Sequence, residues 1–135
     1  METLVNNSAT VATIYEAFGR GDIPYIISQL DKNVLWEVMG TKPNAIAGIY
    51  RGAENVPAFF SALGGNYQIE DFIVEYVLDA ADNTVIAKGH HSGNGRVSGK
   101  PLKTHWAMEW KFNDDGKIVG YRNIYDTQAY ASALE

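Results

Sequence analysis

The chain has 135 residues, 46% of them hydrophobic and 20% charged, with a formal net charge of −5 and no cysteine. That length suits one domain, residues 1–135, with a core that stands without staples. The acidic balance, free of blocks of like charge, argues against nucleic-acid or membrane partners, and the lack of cysteine removes disulfides and thiol chemistry. The opening METLVNNSATVATIYEAF lacks the basic start and long apolar run of a signal peptide. No run of about eighteen apolar residues occurs that could span a membrane, so a cytoplasmic protein is expected.

In chain order, NSATVATIYEAFGRGD reads as a helix. Ser8 is its expected N-cap, Val11, Ile14, Tyr15 and Phe18 form one apolar stripe, and Gly19 and Gly21 end it. DIPYIISQLD is a short second helix with Pro24 in its first turn. NVLWEVMG is a strand with Val34, Trp36 and Val38 on one face. KPNAIAGIYRG reads as a loop, and AENVPAFFSALGG as a third helix closed by Gly64 and Gly65.

From Tyr67 onward strands dominate. YQIEDFIVEYVLDA is rich in β-branched and aromatic residues, Asp82-Asn83 is a turn, and TVIAKGHHSG and LKTHWAMEWKF form a hairpin. NDDGK is a further turn and IVGYRNIYDT the last strand. The order implies an α+β fold: a curved, mostly antiparallel sheet with about three N-terminal helices on its concave face.

The hairpin carries all three histidines. A turn at residues 98–101, with Val97 opposite Leu102, puts His91 across from Met108, His90 across from Glu109 and His105 across from Asn94. Opposed residues share a face and neighbours alternate. One face then carries Val85, Ala87, Gly89, His91, Trp106, Met108, Trp110 and Phe112. The other carries Lys88, His90, His105, Glu109 and Lys111. The apolar face meets the helices, so His91 points inward and the other two histidines outward. A site ligated by all three is thereby dissolved, since ligands must converge within about 2 Å of one ion, and no metal is expected. His90 and Glu109 read instead as a charged cross-strand pair. His91 is either a hydrogen-bonded core residue or a polar group in a cavity. Ala87 and Gly89, small among Trp106, Met108 and Trp110, leave room for a small molecule, unless the tryptophans fill it.

IYEAFGRGDIPYIISQLDKNVLWEV, YRG at the start of a helix, and WAMEWKFNDDGKIVGYRNIYDT together resemble the nuclear transport factor 2-like superfamily, within it the SnoaL-like and ketosteroid-isomerase-like branch. The resemblance covers nearly the whole chain. It implies a cone-shaped sheet around a deep pocket, capped by helices, and a homodimer through the outer sheet face near Lys88, His90, His105, Glu109 and Lys111. Fold does not carry activity with it. In ungapped register the steroid isomerases' oxyanion-hole tyrosine falls at Ile14, with Tyr15 one position off. Their base aspartate falls at Val38, with Glu37 one position off, and their protonated aspartate at Met108. The inner aspartates of limonene-epoxide hydrolases fall at Met108 and Asn123, and their arginine at Trp106. SnoaL-type cyclases use an aspartate and a histidine, of which His91 could supply the second.

The last strand has two registers. A bulge at NDDG turns Tyr121, Asn123 and Tyr125 inward. Without it Gly120, Arg122, Ile124 and Asp126 point in. Two tyrosines bury more readily than an arginine and an aspartate, which favours the bulge. The expected pocket is lined by Tyr15, Trp36, Val38, Gly89, His91, Trp106, Met108, Asn123 and Tyr125, and takes a small, largely apolar molecule. For catalysis His91 would be the acid or base, with Tyr15 and Asn123 orienting the substrate in an isomerisation, cyclisation or hydration that needs no cofactor. A binder without turnover and a protein-interaction module of the same fold are the alternatives.

Overall fold

In the computed structural model, which describes residues 6–135, the helix α1 (Asn7–Gly19) opens the fold. Its N-cap is Asn6 rather than Ser8: the Asn6 side chain accepts from the Ala9 amide, and Ser8 Oγ donates to that same oxygen. The segment 1–5 of the expected domain lies outside the described residues. Helix α2 (Ile23–Ser28) is capped by Asp22 with Pro24 in its first turn. Strands β1 (Leu30–Val38) and β2 (Gly48–Arg51) follow. The expected loop therefore holds a short edge strand, too brief to show periodicity.

A 3-10 turn (Ala53–Asn55) leads into α3 (Val56–Asn66). Gly64 and Gly65 do not close this helix; they lie inside its last turn, and Tyr67 caps it. The long strands β3 (Tyr67–Asp79), β4 (Thr84–Gly95), β5 (Pro101–Phe112) and β6 (Ile118–Tyr125) come next, and a helix missing from the expectation, α4 (Thr127–Ser132), ends the chain. Asp126 caps α4 by accepting from the Ala129 amide.

The six strands form one sheet in the order β2-β1-β6-β5-β4-β3. Only β1 and β6 run parallel; the remaining pairs are antiparallel. The helices cover its inner face, where Trp36, Trp106, Trp110 and Tyr67 are buried.

The hairpin register differs from the expected one. His90 faces His105, Gly89 faces Trp106, Ala87 faces Met108 and His91 faces Thr104. The loop runs from Arg96 to Lys100, longer than a tight turn, and α4 holds it through Ser98 Oγ donating to the Ala133 carbonyl. The shift is an even number of residues, so no side chain changes face. His91 is buried on the inner face and His90 lies outside.

In the last hairpin Phe112 pairs with Ile118 but Lys111 with Gly120, leaving Val119 as the extra residue of a bulge. Tyr121 and Asn123 are consequently buried, and Arg122 and Ile124 exposed. This is one of the two registers left open by the sequence, with the extra residue at Val119 and not in the NDDG turn. Strand β3 carries two further bulges, one between Ile69 and Asp71 and one between Val74 and Tyr76, and the latter puts Glu75 beside Tyr76 on the outer face.

Candidate functional site

A cavity of about 50 Å³ lies between the helices and the inner face of the sheet. That is room for about three waters, or for a small part of a ligand. Ile14 and Phe18 of α1, Ile26 of α2 and Phe59, Phe60 and Leu63 of α3 form its roof. The sheet contributes Trp36, Ile69, Phe72, His91, Met108, Trp110, Tyr121 and Asn123; Ile46 and Tyr130 complete it. No carboxylate reaches this wall among the described residues.

Of the expected pocket residues, His91, Trp36, Met108 and Asn123 are on this wall. Tyr15, Val38, Gly89, Trp106 and Tyr125 stand outside it. Gly89 corrects an expectation outright. A Cβ there would sit 2.0 Å from the Ile73 carbonyl oxygen and 2.5 Å from the Trp106 ring. Its smallness accommodates a close approach of β3 and an overlying indole, and no ligand space lies there.

Tyr15 is tied into the core. Trp110 Nε1 donates to its hydroxyl at 3.1 Å, and that hydroxyl points at Met108 Sδ, also at 3.1 Å. Its ring packs on Phe72 and Trp106, and burial raises its pKa far above the usual tyrosine value. Tyr121 sends its hydroxyl to the same sulfur at 3.3 Å. Two buried phenols thus share one thioether, a weak acceptor, where the resembled isomerases have an acid. Tyr125 is committed elsewhere: it donates to the Met39 carbonyl and accepts from Asn44 Nδ2 at 2.8 Å. Glu37, one position from the resembled base, cannot serve as one. It alternates to the outer side of β1 and pairs with Arg122 at 3.0 Å.

His91 stacks on Phe72 with an interplanar angle of 15°. Its Nε2 lies 2.6 Å from the Tyr130 hydroxyl. Burial, and behind it the neighbouring charge of His90, pushes its pKa down to about 4. The imidazole is therefore neutral at pH 7, as a desolvated ring without a carboxylate should be. Tyr130 was not among the expected residues. It sits on α4, whose six residues are too short for a periodic signal, and only docking of that helix carries it to β4. The docking is fixed by Tyr67, which donates to the Tyr130 carbonyl at 2.9 Å.

Three polar atoms on residues of the cavity wall are buried with no hydrogen-bond partner in the protein: Trp36 Nε1, Asn123 Oδ1 and His91 Nδ1. Trp36 and Asn123 come from adjacent parallel strands, with Val38 opposite Asn123 and Trp36 stacked on Tyr121 at 3.7 Å. Buried polar atoms are nearly always paired, and each orphan costs about 1–3 kcal/mol. All three belong to residues of the one cavity wall.

The fold and this helix-roofed cavity define a SnoaL-like domain of the nuclear transport factor 2-like superfamily. The model of the SnoaL-like domain family matches residues 11–121, and the chain belongs to that family. It is similar to the crystal structure of a nuclear transport factor 2-like protein from Burkholderia thailandensis E264. The two are 31% identical over 100% of this chain and 99% of that one, with a TM-score of 0.85. TerC, crystallised with polyporic acid, has the same fold at 19% identity and a TM-score of 0.81, covering 95% of this chain and 97% of that one. A steroid delta-isomerase from Pseudomonas aeruginosa shares it at 19% identity and 0.69, covering 99% and 92%. No curated protein matches the chain by sequence.

Proposed function

We propose that this protein binds a compact, largely apolar small molecule with two or three hydrogen-bonding groups in the cavity under its helices. The gathering of Trp36 Nε1, Asn123 Oδ1 and His91 Nδ1, all buried and unpaired, carries this reading. A ligand with one acceptor and one donor would satisfy the indole N–H and the amide oxygen together. Aromatic walls from Trp36, Trp110 and Tyr121 favour a planar guest. TerC, of the same fold, was crystallised with an organic acid, polyporic acid, which is in line with small-molecule binding. The 50 Å³ volume sets a limit: a larger guest needs the roof of α1 and α3 to move outward.

The contact between His91 and Tyr130 favours turnover as a second reading. A neutral imidazole can take a proton from a carbon or oxygen acid, and the Tyr130 hydroxyl holds the ring in place. The reaction would be an isomerisation, cyclisation or hydration without a cofactor.

A panel of cyclic enones and hydroxylated aromatic acids, followed by quenching of tryptophan fluorescence, tests both. Saturable quenching is expected, and Asn123→Leu should abolish it while the variant stays folded. His91→Gln should weaken binding by about 1 kcal/mol, the worth of one hydrogen bond. If His91 is itself the acid–base group, turnover of a bound enone should fall by roughly 10²–10⁴. Quenching that is unchanged by Asn123→Leu would place the ligand elsewhere and end this proposal.

A further inference from the structure

Glu75, His90 and His105 meet on the outer face of the sheet, on the side away from the cavity. His90 and His105 are directly opposed on β4 and β5, with ring centroids 5.8 Å apart. Glu75 arrives from the other side of β4. It is the extra residue of the bulge between Val74 and Tyr76, and its Oε1 lies 3.2 Å from His90 Nδ1. One ligand atom from each of the three residues lies within 4.8 Å of the other two. We propose that this trio binds a divalent transition-metal ion, zinc above all, supplying three of its ligands.

The donor set suits that ion. Two imidazoles and a carboxylate are borderline ligands that favour zinc, copper or nickel over magnesium and calcium, which take oxygen. Zinc bonds of about 2.0–2.2 Å put tetrahedral ligands roughly 3.4 Å apart. Glu75 and His90 are already that close, at 3.2 Å, and the remaining separations must close by at most about 1.4 Å, which rotation of exposed side chains provides. Glu75 follows Ile73, the residue opposite His90, by two positions on β3, so both lie on the outer face and Glu75 reaches His90 on the diagonal. The Glu75 carboxyl is held below the usual carboxylate range by its hydrogen bonds to His90 and Lys88, so it is ionised and ready to ligate.

One cation already competes. Lys88 Nζ lies 3.3 Å from Glu75 Oε1. Around the histidines the same groove carries Lys103, of like charge, and Asp71 and Asp126, of opposite charge. Without a metal, the cluster is a solvent-exposed charge network of small energetic consequence. The metal and proton compete for the same imidazole nitrogens, so affinity should weaken as pH falls.

The test is calorimetric titration of tag-free, chelator-stripped full-length protein with zinc chloride at neutral pH, paired with cobalt(II) absorption. Saturation at one ion per chain is expected. His90→Ala and His105→Ala should each weaken binding roughly tenfold or more, and the double variant should abolish it. All three residues are exposed, so these variants should keep the fold, which circular dichroism checks. Lys88→Met should tighten binding by removing the competing cation. Sedimentation of each variant runs alongside, and loss of zinc binding without a change of oligomeric state supports the trio as ligands. No saturable binding up to about 1 mM zinc, or binding that the double variant leaves unchanged, overturns the proposal. Its failure leaves the cavity reading intact, since the two sites share no residue.

Discussion

At the scale of single residues, His91 shows most directly how position decides chemistry. Both adjacent histidines have the same ring, yet strand alternation gives one to the core and the other to solvent. Burial holds His91 at a pKa of about 4, against 6.5 for the free side chain. The unfolded chain therefore binds a proton that the folded one refuses between those values. Falling pH should draw stability out of the fold from about 6.5 downward and finish near 4. The loss should reach on the order of 3 kcal/mol if the shift is fully expressed. His91→Gln has no such group, so its stability should change less over that range. Urea midpoints of both proteins from neutral to mildly acidic pH measure the difference, and parallel curves would contradict the buried, neutral imidazole. That His91 points inward was legible from alternation alone. That Tyr130 meets it was not, because the two are brought together by helix docking across a span of chain.

At the scale of elements, two glycine sites show how the same residue type serves opposite purposes. In β4, Gly89 lets β3 and the Trp106 ring approach closely. Gly89→Ala should cost about 1–3 kcal/mol, as overpacking of a tight interior does. In α3, Gly65 has open space around its Cα and a helical conformation. Gly65→Ala should stabilise by about 0.5–1 kcal/mol, because alanine loses less backbone freedom in a helix. Thermal or urea unfolding of the pair checks both signs, and a neutral Gly89→Ala would restore the idea of free volume beneath the tryptophan. The bulges belong to this scale too. Tyr121 and Asn123 face the cavity only because Val119 is extra, and the preference for burying tyrosines over Arg122 pointed to that register in advance. The bulge at Glu75 carried no comparable signal: IEDFIVEYVLD alternates imperfectly at several points, and the partner strand selects which residue is left over.

At the scale of the whole molecule, the outer sheet face is the broad surface that no helix among the described residues covers. It mixes Lys88, His90, His105, Glu109 and Lys111 with exposed apolar side chains, including Ile73, Tyr76, Leu78 and Ile124. Tyr76 and Leu78 lie on the edge strand β3, and Ile124 on the interior strand β6 opposite Ala107. We propose a homodimer through this face, since contiguous half-apolar surface of this kind marks interfaces. Ile124→Lys puts a charge at its centre and should give a monomer with the fold unchanged. Sedimentation velocity at micromolar concentration measures both proteins, and a monomeric parent chain would remove the proposal.

The sequence by itself determined what depends on local pattern. The α+β order, the inner and outer faces of β1, β4 and β5, and the inward setting of Trp36, His91 and Met108 all follow from periods of two and 3.6 and from the preference of large apolar groups for the core. Even the wrong hairpin register preserved those faces, since an even shift leaves alternation untouched. Only the tertiary structure decided what depends on distance between remote segments. It closed the space beneath Trp106, spent the hydroxyls of Tyr15 and Tyr125 on core partners, and set Tyr130 against His91. It also turned a supposed His90–Glu109 pair into a His90, His105 and Glu75 cluster. The physical reason is that burial follows from each residue's own chemistry, whereas a site depends on ångström-scale closure between elements that no local period records.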